Sequence, residues 1–228
     1  WMLWKTTCNC ISIKTQRPLN IIENGLNQKT NNVGKIVLIT HQKGGVGKST
    51  LTYNLAQNIS ENASVLVLDF DLQGSLSQIK DLVTDFTIMP YNREIKIIKN
   101  LPYDFVFIDT PPYLSNQLPE LIDLADLIII PTKAGVLDLL AIKNTLELIK
   151  SKNKTSNSLV VFNMIKANTT LTLDILIGLE EYNIPIAKTH ISDLVAFTRS
   201  VLIGGVKTDK NAQKQLDNLT KEVLTKLI

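Results

Sequence analysis

The chain has 228 residues, 44% of them hydrophobic and 20% charged, with a formal net charge of +3. These ordinary globular values exclude a fibre or a wholly disordered chain and imply one domain with a sizeable core, and no apolar run approaches the roughly 18 to 20 residues of a membrane-spanning helix. Charge is unevenly placed: Lys5, Lys14, Arg17 and Lys29 against Glu23 give residues 1–33 the whole excess and leave the rest neutral, so any nucleic-acid surface must be local.

Residues 1–33 show neither helical nor strand periodicity and end in a tract rich in Asn, Gln and Thr. They lack the apolar core of a secretory signal. Both cysteines, Cys8 and Cys10, fall there, and a C-x-C pair alone is half a metal site at best. The segment is expected to be a poorly ordered leader or an over-extended N-terminus, with the domain occupying 34–228. From Gly34 the pattern becomes regular. Short β-branched runs at 35–40, 64–70, 103–110, 126–132, 158–164 and 186–191 read as strands. Helices are expected at about 48–60, 73–83, 115–125, 136–151, 170–182, 194–203 and 212–227. Nearly continuous apolar strands require cover on both faces, which implies an α/β fold: a mostly parallel, doubly wound sheet with helices on both sides. Such folds bind ligands at the carboxyl ends of their strands.

The stretch HQKGGVGKST (41–50) lies between the first strand and the first helix. Its glycines, Gly44, Gly45 and Gly47, let backbone N–H groups turn toward phosphate oxygens, and the helix start that follows favours an anion. Lys48 is placed to reach the β- and γ-phosphates, and the Ser49 hydroxyl to bind Mg²⁺. A glycine turn with solvated lysines would satisfy the letters, but not the strand–loop–helix context. Gln42 replaces the first glycine of the usual phosphate-loop pattern, and Lys43 adds a second lysine. Two more strands end in acids: Asp69 and Asp71 in VLVLDFDLQGS, and Asp109 in FVFIDTPP. One strand-terminal Asp is often a turn cap; three beside a phosphate loop suggest a magnesium and catalytic centre. Asn163 ends another strand. His41 and His190 have no metal-spaced partners and read as packing or surface residues.

KGGVGKS (43–49), DFDLQGS (69–75) and FIDTPP (107–112) together resemble the deviant Walker A, switch I-type and Walker B motifs of the ParA/MinD ATPases, over essentially 34–228. With residues 1–33 too short for a helix-turn-helix module, the chain is most similar to the small ParA, ParF-like partition proteins. The resemblance implies a P-loop NTPase that uses ATP and Mg²⁺ and hydrolyses ATP slowly without a partner. It implies nucleotide contacts from Lys43, Gly44, Gly45, Val46, Gly47, Lys48, Ser49 and Thr50, with Asn163 near the adenine. Ser49, Asp69 and Asp109 would surround the metal; Lys43, Lys48 and Asp71 would be catalytic, Asp71 by orienting or deprotonating water. Lys43 would act across an ATP-dependent homodimer, on the partner's phosphates, as an arginine finger does. Leu72 stands where many members of that family have proline, which bears on loop shape.

The same resemblance implies DNA partition in the cytoplasm, on the nucleoid, with a small centromere-binding (ParB-like) partner and nonspecific double-stranded DNA. Residues 199–228 supply a local basic excess: Arg199, Lys207, Lys210, Lys214, Lys221 and Lys226 against Asp209, Asp217 and Glu222. The alternative is MinD-like membrane positioning through the amphipathic stretch AQKQLDNLTKEVLTKLI, which lacks a bulky aromatic anchor. A metal-cluster carrier on this scaffold would need cysteines that 34–228 do not contain.

Overall fold

Four of the five residues in strand β1 (Lys35–Ile39) are buried, alternately on opposite faces, so the strand fits only inside a sheet covered on both sides. The computed structural model describes residues 34–71, 73–91, 93–113, 115–167 and 173–227. The leader with Cys8 and Cys10, and Leu72, lie outside the described residues. Five further strands complete the sheet: β2 (Val65–Asp69), β3 (Thr87–Pro90), β4 (Phe105–Asp109), β5 (Leu127–Thr132) and β6 (Ser158–Phe162). Their order is β3-β2-β4-β1-β5-β6, with every neighbouring pair parallel. Six helices accompany them among the described residues: α1 (Lys48–Ile59), α2 (Leu118–Leu124), α3 (Val136–Ser151), α4 (Leu173–Glu180), α5 (Val195–Ile203) and α6 (Lys210–Leu227).

The sheet divides two cores. Val37, Ile39, Val67 and Phe107 pack with α1, α5 and α6, while Ile36, Leu38, Val106 and Ile108 pack with α2 and α3. This is the doubly wound architecture expected from the apolar runs. Successive residues of each strand feed opposite cores because side chains alternate across the pleat. Register then fixes the site: Ile39 pairs with Asp109, and Asp109 with Asp69, so the acids stand level with the end of β1. The chain leaves β1 between β4 and β5, the crevice where open α/β sheets bind ligands.

Four elements differ from expectation. Helix 73–83 is a 3₁₀ segment, Ser77–Leu82, none of whose side chains is buried. Without an apolar stripe to bury, nothing extends the turn into an α-helix. Strand β3 and a second 3₁₀ segment (Ile95–Asn100) went unread, the former being a four-residue edge strand that ends in Pro90. The run 186–191 forms no continuous strand: it meets the sheet at isolated bridges, Val160 with Ile186 and Ile165 with Ser192, and where the Ile191 N–H donates to Phe162 O at 2.9 Å. Between them the N–H groups of Lys188 and Thr189 donate to the Glu222 carboxylate of α6, each at 2.8 Å, which draws the backbone off the β6 edge.

Candidate functional site

The loop between β1 and α1 is the centre of the site. Gly45 (φ 70°) and Gly47 (φ 85°) adopt left-handed backbone, which lets the loop turn its amides inward. Gly47 is also the N-cap of α1, with no side chain capping the helix and no acid in its first turn. The first amides of α1 are therefore free to meet an anion. A side chain at Gly47 would put Cβ 2.3 Å from Asn163 Nδ2.

Lys48 is almost fully buried and donates from Nζ to the carbonyl of Lys43 at 3.1 Å, spanning the loop. Burial lowers its pKa, partly opposed by the Asp109 and Asp71 carboxylates. The Ser49 hydroxyl donates to Asp109 Oδ2 at 2.6 Å, and Thr52 donates to Asp109 Oδ1 at 3.2 Å. Asp109, 1% exposed, has its pKa pushed up to about 7 by desolvation, with Ser49 pulling it down and Asp69 adding repulsion. A buried carboxylate short of positive charge, next to a hydroxyl at the mouth of a phosphate loop, is a hard-oxygen donor set that fits Mg²⁺.

The other acids have taken different work. Asp69 accepts from Ser77 N and Ser77 Oγ, each at 2.8 Å, and from Asp71 N at 3.0 Å. Its carboxylate thus clamps the loop that follows β2, and it bears on Asp109 through charge. Asp71 lies past the strand end, where Oδ1 accepts from Gln73 N at 3.0 Å, and it is near enough to Lys48 to influence it. Asp69 and Asp71, two residues apart, thus sit in different settings, the first buried at the strand end and the second half-buried beyond it. Asn163 is buried and donates to Val46 O at 2.8 Å, pinning the loop. It also lines a cavity with Gly47, Thr50, Met164, Ile191 and Phe197. Gly44 stands close to Pro112 of the strand β4 end, with room for a Cβ at 3.7 Å.

Lys43 takes an unexpected direction. Its Nζ lies 2.6 Å from Asp138 Oδ1 in the first turn of α3. Asp138 carries no local motif, so only the tertiary structure reveals it. His41, fully buried, accepts the Lys43 N–H on Nδ1 at 2.9 Å. Its pKa falls to about 4, chiefly by desolvation and then by the Lys48 charge. His41 is therefore a neutral loop support, and its Nε2, like Gln42 Nε2, is buried without a partner among the described residues. Thr52 also escaped the sequence, although its place three residues after Ser49 on α1 puts it on the same helix face.

Over residues 37–204 the chain matches the model of the CobQ/CobB/MinD/ParA nucleotide binding domain. It belongs to that family. The Maintenance of carboxysome distribution protein A of Halothiobacillus neapolitanus is 26% identical over 208 residues, covering 82% of this chain and 94% of that protein. The sporulation initiation inhibitor protein Soj of Bacillus subtilis is 24% identical, over 66% of this chain and 80% of Soj. Among solved structures, a plasmid partition protein of Borrelia burgdorferi bound to AMPPNP superposes with a TM-score of 0.66 at 21% identity, covering 86% and 100% of the two chains. The chain is thus a ParA/MinD-type nucleotide-binding protein, with the loop, Lys48, Ser49 and Asp109 at the place where this fold binds ligands.

Proposed function

We propose that this ParA/MinD-type protein is an ATP-dependent dimer switch for DNA partition. In the ATP state it binds nonspecific duplex DNA, and a small centromere-binding partner stimulates hydrolysis. Lys48 leaves the Lys43 carbonyl for the β- and γ-phosphates, Asp71 orients the attacking water, and Lys43 of a second copy neutralises the transferred phosphoryl group. Magnesium, held by Ser49 and Asp109, would supply further charge neutralisation at the triphosphate. Support for a second copy comes from the start of α3, where Val136, Leu137 and Leu140 are all at least 64% exposed on the helix that carries Asp138.

The observation that carries the DNA reading is the segregation of charge in the C-terminal region. Its acids are used internally: Asp209 caps α6, Asp217 accepts from Gln213 and Asn58, and Glu222 holds Lys188 and Thr189. Arg199, Lys210 and Lys214 are exposed and make no salt bridge among the described residues. Lys207 differs, because Glu61 holds its Nζ at 2.8 Å. Residues 34–228, neutral as a whole, thereby present unpaired cations on α5 and α6. The membrane alternative loses its support: the apolar stripe of α6, including Leu216, Leu219, Val223 and Leu227, is already buried against the chain's own core.

The test is binding to random-sequence duplex with ATP, ADP and no nucleotide. A dimer with three such cations per subunit is expected to bind only with ATP and to weaken about a thousandfold between 50 and 200 mM salt. Binding that ignores nucleotide, or barely responds to salt, would contradict the proposal.

A further inference from the structure

Lys43 is held by contacts on three sides, and they do not serve the same end. Its N–H donates to His41 Nδ1 at 2.9 Å and its carbonyl accepts from Lys48 Nζ at 3.1 Å, so the backbone at this position is fixed within its own loop. Only the side chain is free to choose a direction, and it turns to Asp138 at 2.6 Å. Asp138 in turn has a prepared seat. It lies in the first turn of α3, where the helix N-terminus favours a carboxylate. The carboxylate folds back over Gly135, so close that a Cβ there would lie 2.6 Å from Asp138 Oδ2. The backbone at Gly135 is ordinary (φ −121°, ψ 150°), so the space above it, and not its conformation, is what the missing side chain provides.

The proposal concerns the same site as the dimer switch and rests on it. We propose that Asp138 is a positioning residue that latches Lys43 within the lone subunit, so that the lysine reaches a partner's phosphates only after this ion pair opens. Opening needs side-chain rotation alone, since His41 still holds the Lys43 N–H after Lys48 has turned to the phosphates. A charge-assisted hydrogen bond between a half-exposed lysine and a largely buried aspartate opposes release by roughly three- to tenfold. Two subunits must each open one, so the latch raises the dimer dissociation constant by roughly ten- to a hundredfold. The energy needed comes from the partner's triphosphate, which makes dimerisation conditional on ATP.

Sedimentation velocity over a concentration series, with a non-hydrolysable ATP analogue, reads this directly. Asp138→Asn removes the charge while keeping side-chain shape, and is expected to lower the dimer dissociation constant by about tenfold or more. Gly135→Ala keeps the carboxylate but pushes it off its seat, and is expected to change the constant in the same direction; it decides the matter if Asp138→Asn does not fold. Structural damage at the start of α3 would weaken the dimer, so tighter assembly is not the signature of a merely structural residue. A wild type that dimerises, with the folded variants dimerising equally well or less well, overturns the latch alone. A wild type that binds the analogue and stays monomeric at every concentration overturns the dimer switch and the latch together.

Discussion

The phosphate loop and the α5–α6 surface both depend on lysines, but they use them in opposite physical settings. Lys48 is 7% exposed, and its charge is matched in a desolvated crevice by Asp109 and Asp71. Arg199, Lys210 and Lys214 stand in solvent, where salt screens each one. A buried charge cannot be removed without leaving its partners unpaired, so that region tolerates few substitutions. On the surface each cation contributes a small, nearly independent share. Function should therefore fail abruptly on one side and decline gradually on the other.

The sharpest contrast comes from Gly47→Ala. It places a methyl 2.3 Å from Asn163 Nδ2 at a backbone position with φ 85°, so strain and collision coincide. Asn163 can retreat only by giving up its bond to Val46 O. The loop must then open, and ATP affinity is expected to fall at least a hundredfold, as measured by calorimetric titration, with about 1–3 kcal/mol of stability lost. Retained ATP affinity would show that the loop is not fixed as tightly as its glycines indicate.

Next in size is the effect of His41, the buried support of Lys43. Its pKa falls from 6.5 to about 4 on folding, so between these values the unfolded chain takes up a proton that the native one refuses. His41 therefore favours unfolding progressively as pH drops from about 6.5 to 4, by about 3 kcal/mol in all. Asp109 works the other way: raised to about 7, it contributes stability at low pH that is lost as pH rises through that value. The two slopes partly cancel in the wild type, so the measurement is a difference. Urea unfolding of wild type and His41→Gln at pH 7 and pH 4 should show the wild type losing about 3 kcal/mol relative to the variant. Parallel curves would mean that His41 is solvated in solution.

These regions also differ in what the sequence revealed. Helix α3 was readable to the residue, Val136–Ser151, because its sixteen residues keep a regular apolar period. The strands with acids at their ends were readable from their continuous apolar runs, which are buried along β2 and along all but the first residue of β4. What escaped depends on long-range partners. Asp69 looks like Asp109 in sequence, yet Ser77 eight residues later captures it. The run 186–191 has strand composition, yet Glu222 on α6 takes two of its N–H groups. Asp138 lies 95 residues from Lys43, and local pattern is blind to such a pair. The tail's basic excess was countable from composition, but which acids are hydrogen-bonded within the subunit and which bases are left unpaired was not.

The gradual side of the comparison is tested by the smallest changes. Lys214→Ala removes one cation per subunit, hence two in an ATP-bound dimer, and should reduce the slope of log affinity against log salt by about 2, with a several-fold loss of DNA binding near physiological salt. Lys207→Ala removes the same formal charge a short way along the chain. There, however, Glu61 already neutralises the ammonium at 2.8 Å, and removing Lys207 frees an acid as well as deleting a base. If the phosphates are read by unpaired cations, Lys207→Ala should leave the salt slope almost unchanged and weaken binding less than Lys214→Ala does. Equal slopes for the two variants would mean that DNA pulls Lys207 away from Glu61, and that net charge, not the pairing seen in the free subunit, sets the affinity.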